Sequence, residues 1–142
     1  MSIKIDARDR WYSLLIRERA ENRCEVCGNT ETIQCAHIQG RRSRATRWHP
    51  DNALCLCYSH HRYFTERPAE FTEFVKNRIG EHRLASLIIL SKTAPRYRKH
   101  DLEEIRLNLK AAHERMMMER NAGGTGRLEF DSPYPENQEE AA

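Results

Sequence analysis

Nowhere among these 142 residues does an apolar run approach the roughly 20 residues a membrane-spanning helix needs, which argues against a membrane partner. The opening MSIKIDARDRW lacks the apolar core of a secretory signal, so the expected location is the cytoplasm. No internal repeat is visible. The hydrophobic share is only 39 %, against a charged share of 32 %, and such a chain is expected to lean on bound metal for part of its stability. The length suits one domain and is short for two.

What charge there is lies unevenly. Residues 121–142 carry Arg127 against Glu129, Asp131, Glu136, Glu139 and Glu140, a net of −4. Because the whole chain carries +3, the remainder stands at +7, and a basic body suggests a polyanionic partner. The acidic end, preceded by Gly123, Gly124 and Gly126, reads as a disordered tail.

The spacing of apolar residues predicts a helix over 6–22, with Trp11, Leu14 and Leu15 on its apolar face and Arg8, Arg10, Arg17 and Arg19 mainly elsewhere. Periodicity then fades. Short strands fit Ile33–Ile38 and Ala53–Leu56, separated by a loop rich in arginine. Helix returns after Cys57, and Pro68 marks a break. Residues 69–79 place Phe71, Phe74, Val75 and Ile79 on one face, Gly80 separates them from a helix with Leu84 and Leu87, and APRYRKH reads as a basic linker. Asp101 with Glu104 suggests the cap of a last helix running to about Arg120, lined by Leu102, Ile105, Leu109 and Met116. The chain thus divides into an N-terminal helix (1–23), a central unit (24–68), a helical region (69–120) and the tail (121–142).

Five cysteines is an odd number, and in a reducing compartment a Cys-x-x-Cys pair is more often a metal knuckle than a disulfide. Cys24-x-x-Cys27 and Cys57-x-x-His60 together offer four ligands suited to a closed, tetrahedral, structural zinc. Pairing of Cys57 with His61 satisfies the spacing as well. Cys35 and Cys55 are left over and read as small buried apolar side chains.

Between the knuckles lie CAHI, with His37, the loop QGRRSRATRWHPD, and Asn52. The pattern Cys24, Cys27, His37, Asn52, Leu56, Cys57 and His61 resembles the HNH endonucleases of the ββα-metal (His-Me finger) fold, in particular the zinc-knuckle type found in phages and prophages. The match covers about a third of the chain, and His60 stands where that family usually has cysteine. The resemblance implies an α+β protein, a ββα-metal core with a structural zinc flanked by helices. It implies a metal-dependent endonuclease that hydrolyses DNA phosphodiester bonds in the cytoplasm, that of a host cell if phage-encoded. His37 would be the general base, His61 would hold Mg²⁺ or another divalent metal, and Asn52 would fix the loop and orient His37.

One departure stands out. Many such enzymes carry a further metal ligand just before the catalytic histidine, where this chain has Ala36. Cys35 shares a strand face with His37, but a thiolate is a poor partner for Mg²⁺; Asp51, His49, water or His37 itself are the possible substitutes. The alternative is a catalytically degenerate, zinc-stabilised nucleic-acid-binding module; a zinc-dependent protein-interaction scaffold explains the knuckles but not His37 and Asn52. Arg41, Arg42, Arg44, Arg47 and Arg62 surround the centre and are expected to contact DNA phosphates. A homodimer or a phage protein partner is compatible with the helices, and the spacing does not decide.

Overall fold

The computed structural model describes residues 3–136. Its elements run α1 (Ala7–Arg19), β1 (Ile33–His37), β2 (Ala53–Cys57), α2 (Tyr58–Thr65), α3 (Pro68–Ile79), α4 (Glu81–Ser91) and α5 (Lys99–Asn121). The class is mixed α and β, with one two-stranded sheet among the described residues. No helix among them is long and apolar enough to cross a membrane.

The strands are antiparallel, with Ile33 opposite Cys57 and His37 opposite Ala53. All five residues of β2 are buried, so ALCLC is a continuous apolar run rather than an alternation: both faces of the sheet are covered. One face meets α1 and α5 in a core of Tyr12, Leu15, Ile16, Trp48, Ile105 and Leu109. The other meets α2, α3 and α4 through Leu54, Leu56, Phe64, Val75 and Leu84. The centre therefore sits between two small cores.

Helix α1 starts where Asp6 accepts from the Arg8 amide at 2.8 Å while Asp9 accepts from the Asp6 amide at 2.9 Å, a reciprocal cap. Its buried stripe is Tyr12, Leu15, Ile16 and Arg19, not the expected face through Trp11 and Leu14; Leu14 is exposed. Arg19 takes an inward position because its guanidinium donates to the Pro50 carbonyl at 2.6 Å and the Ala53 carbonyl at 2.9 Å. These carbonyls stand in for water, which a buried charge otherwise lacks.

Two further expectations are corrected. The cap of α5 lies at Arg98, whose amide donates to Asp101 at 2.8 Å, so Asp101 is a first-turn residue and the helix begins earlier than its sequence suggests. The tail expected from residue 121 packs against the body over its described part. The Leu128 amide donates to the Arg19 carbonyl, and Phe130 lies 5.5 Å beneath the Arg19 guanidinium. The Tyr134 hydroxyl accepts from the Trp48 amide at 2.9 Å and donates to the Arg44 carbonyl at 2.7 Å. Leu128, Phe130 and Tyr134 supply apolar anchors that the acidic composition conceals. Residues 137–142 of that expected tail lie outside the described residues.

Candidate functional site

Cys24, Cys27, Cys57 and His60 converge, their ligand atoms all within 4.8 Å of one another. The Cys27 and Cys57 sulfurs are 3.9 Å apart, and His60 Nδ1 lies 3.3 Å from Cys57 Sγ and 3.7 Å from Cys24 Sγ. A tetrahedral zinc with Zn–S of about 2.3 Å and Zn–N of about 2.0 Å requires edges of roughly 3.8 Å between sulfurs and roughly 3.5 Å from sulfur to nitrogen. The Cys₃His cluster fits a metal ion of that size. Gly28, at φ +75°, turns the first knuckle and lets its amide donate to the Cys24 carbonyl at 2.8 Å. At Cys24, burial pushes the thiol pKa up, but hydrogen bonds from the Cys57, Cys27 and Val26 backbones outweigh it, so the pKa is lowered toward the ligating thiolate.

The next residue looks elsewhere. His61 Nδ1 lies 2.7 Å from Oε1 of Gln34 on β1, the face of the sheet that also carries Ala36. An amide oxygen only accepts, so Nδ1 carries the proton and Nε2 is left with a free lone pair. That arrangement presents an imidazole to a metal. Gln34 escaped the sequence reading. Its one signal was the two-residue period of β1, which turns Gln34 and Ala36 toward α2.

His37 ends β1. Its Nε2 is buried without a hydrogen-bond partner. Burial and, secondarily, the nearby Arg41 charge push its pKa down to about 4, against opposition from Asp9 and the Arg47 backbone. The ring is therefore neutral near pH 7. It leans on Tyr12, centroids 5.6 Å apart and planes tilted by 30°, and Tyr12 is tied by its hydroxyl to the His49 carbonyl at 2.5 Å. His37 and His61 together line a small hollow of about 190 Å³ and a larger groove of about 870 Å³.

Asn52 is buried and clamps the backbone of Gln39, accepting from its amide at 2.7 Å and donating to its carbonyl at 3.0 Å. It thus fixes the chain two residues beyond His37. No hydrogen bond runs from it to His37 itself, so its influence on the ring is through the backbone.

Two of the expected substitutes for Ala36, Asp51 and His49, are engaged elsewhere. Asp51 pairs with Arg83, and His49 Nδ1 accepts from the Asp51 amide at 3.0 Å; neither lines either hollow. Cys35 lines the groove, yet burial raises its thiol pKa to about 12, so it stays protonated, as does the buried Cys55. No carboxylate lines the small hollow. The donors at the histidine pair are imidazole nitrogens, Nε2 of His61 and Nε2 of His37, which suit borderline divalent metals better than Mg²⁺.

The arginines divide as well. Arg41 lines the groove beside His37, and Arg42 is exposed. Arg44 lies 5.4 Å over the Tyr97 ring, and Arg62 pairs on the surface with Glu66 at 3.2 Å. Arg47 corrects the expectation. It is buried, with Nε and Nη2 bonded to Asp9 at 2.9 and 2.6 Å and Nη2 also to the Lys4 carbonyl at 3.0 Å, so most of its donor capacity is spent inside the fold.

The succession β1–β2–α2, with a histidine ending the first strand and another on the helix, is consistent with an HNH fold. Residues 24–67 match the family model described as HNH endonuclease. No curated protein and no solved structure matches the chain.

Proposed function

We propose that the chain is a metal-dependent endonuclease that hydrolyses DNA phosphodiester bonds. The observation that carries this reading is His37: a neutral imidazole whose Nε2 is buried without a partner, facing hollows it shares with His61. An unpaired buried acceptor costs about 1–3 kcal/mol, a cost relieved when a proton donor such as the attacking water arrives. His37 accepts that proton as water attacks phosphorus. Arg41 holds the phosphate, and the anion offsets the Arg41 charge that lowers the His37 pKa, raising the base toward working pH.

His61, oriented by Gln34, would hold a divalent ion through Nε2. When bound, such an ion stabilises the charge that develops on the phosphate and leaving oxygen. Asn52 keeps the loop from Gln39 in place, and the Cys₃His cluster, read as structural zinc, fixes the start of α2 and hence His61. The test is nicking of supercoiled plasmid by purified protein with Mn²⁺, Ni²⁺ or Mg²⁺. Nicking is expected, faster with Mn²⁺ or Ni²⁺ than with Mg²⁺, and lost in His37→Ala.

A degenerate, zinc-stabilised DNA-binding module is the second reading, favoured by Ala36 and the absence of a carboxylate in the small hollow. DNA binding without nicking under any of the three metals would select it.

A further inference from the structure

Helix α1 and strand β1 form the walls of the larger groove, which His37 and His61 also line. Three arginines line it: Arg10 and Arg17 from α1, and Arg41 from the loop after β1. Most arginines elsewhere on this surface lie against carboxylates, such as Arg62 against Glu66, Arg83 against Asp51 and Arg106 against Glu103. Among the described residues, the guanidiniums of Arg10, Arg17 and Arg41 have no acidic partner within 4.0 Å; the sole side-chain hydrogen bond of the three runs from Arg17 Nε to the Ser13 carbonyl. The one carboxylate on the wall, Asp9, is already taken by Arg47, the Trp48 indole and the Asp6 amide. The groove is thus cationic without compensation, with room for an anion along its length.

Its walls are also apolar. Leu14 lies between Arg10 and Arg17 in sequence, Ile5 is 55 % exposed at the groove's edge, and Ile33 begins β1. Arg10 and Arg17 are seven residues apart, two turns, so both side chains rise from one side of the helix, their backbone attachment points about 10 Å apart along its axis. A duplex turns phosphates and sugars outward and keeps its base faces stacked inside. An unpaired strand offers both: phosphates for guanidinium forks and base faces for apolar walls and guanidinium planes.

We infer that the α1–β1 groove binds single-stranded DNA and leads it to the scissile position at His37. This rests on the nuclease reading for where the strand leads, and on the groove's own charge and lining for what it takes. The substrate class that follows is DNA with an unpaired segment next to the cut, such as a flap, a bubble or a displaced strand.

The test measures binding of the full chain to a fluorescent 20-nucleotide strand and to the same sequence as duplex, over a salt series without added divalent metal. The variants are Arg10→Met with Arg17→Met, which keep the aliphatic stems, and Lys110→Met with Arg115→Met on α5, which remove equal charge elsewhere. The single strand is expected to bind more tightly than the duplex. The α1 pair should weaken single-strand binding about tenfold and reduce the slope of log K against log salt by about 1.4, given about 0.7 per phosphate contact on single strands. The α5 pair should change neither. Equal or tighter duplex binding, or an α1 loss no larger than the α5 loss, overturns the groove. Plasmid nicking by the unsubstituted chain is read in parallel. Nicking with no α1 effect overturns the groove alone, whereas α1-dependent strand binding without nicking upholds the groove and overturns the nuclease.

Discussion

Arg47 and Asp9 meet in a two-bond fork, at 2.9 and 2.6 Å, with both side chains almost entirely out of solvent. Asp9 also accepts from the Trp48 indole at 3.0 Å, so this one carboxylate joins the first turn of α1 to the loop between the strands. Burial pushes the Asp9 pKa up, but the Arg47 fork, the Asp6 amide and the Trp48 indole together outweigh it and the pKa is lowered.

Arg47→Ala leaves that carboxylate buried without its counter-charge. Breaking a buried pair from one side costs about 3–5 kcal/mol, so the variant should melt well below the unsubstituted chain. Arg41→Ala, in contrast, should leave the melting temperature nearly unchanged and weaken DNA binding. Similar melting for both would mean that the fork adds nothing to stability.

The two adjacent histidines should separate in experiment. Metal analysis is expected to find about one zinc per chain, retained in His60→Cys, lowered together with thermal stability in His60→Ala, and retained in His61→Ala, which should nonetheless stop nicking. Zinc lost on His61→Ala and kept on His60→Ala would exchange their roles.

Gln34→Leu removes the acceptor that holds the proton on His61 Nδ1. The ¹⁵N shifts of the imidazole should show Nδ1 protonated in the unsubstituted chain and a tautomer mixture in the variant. Nicking should then require a higher metal concentration, while zinc content stays the same. An unchanged tautomer would place the control of His61 elsewhere.

His37 makes stability depend on pH. Its folded pKa of about 4 lies below the ordinary histidine value of 6.5, so between those values the unfolded chain binds the extra proton. Stability from this group is full above pH 6.5 and is lost as pH falls toward 4, by roughly 3 kcal/mol at 1.36 kcal/mol per unit. His37→Gln should flatten the urea-unfolding profile over that window relative to the unsubstituted chain. Parallel profiles would show that the ring is not held neutral by the fold.

The sequence by itself held what depends on short spacing. Two knuckles at Cys24-x-x-Cys27 and Cys57-x-x-His60, two apolar strand segments and five helical stretches were legible because each needs only neighbours within a turn or a pleat. The opposed directions of His60 and His61 follow from the roughly 100° between successive helical residues. What the tertiary structure decided is which of several equivalent residues meets which partner. Arg10, Arg17, Arg19, Arg41 and Arg47 are alike in one dimension. Burial gives Arg19 two carbonyls and Arg47 a carboxylate, while Arg10, Arg17 and Arg41 are left facing a groove. Gln34 and the anchors of the 128–134 segment were hidden for the same reason: their partners are remote in sequence, His61 for Gln34 and Arg19, Arg44 and Trp48 for the segment. Whether a charge is solvated, paired or left open is settled by distances across the fold, and no local pattern encodes those.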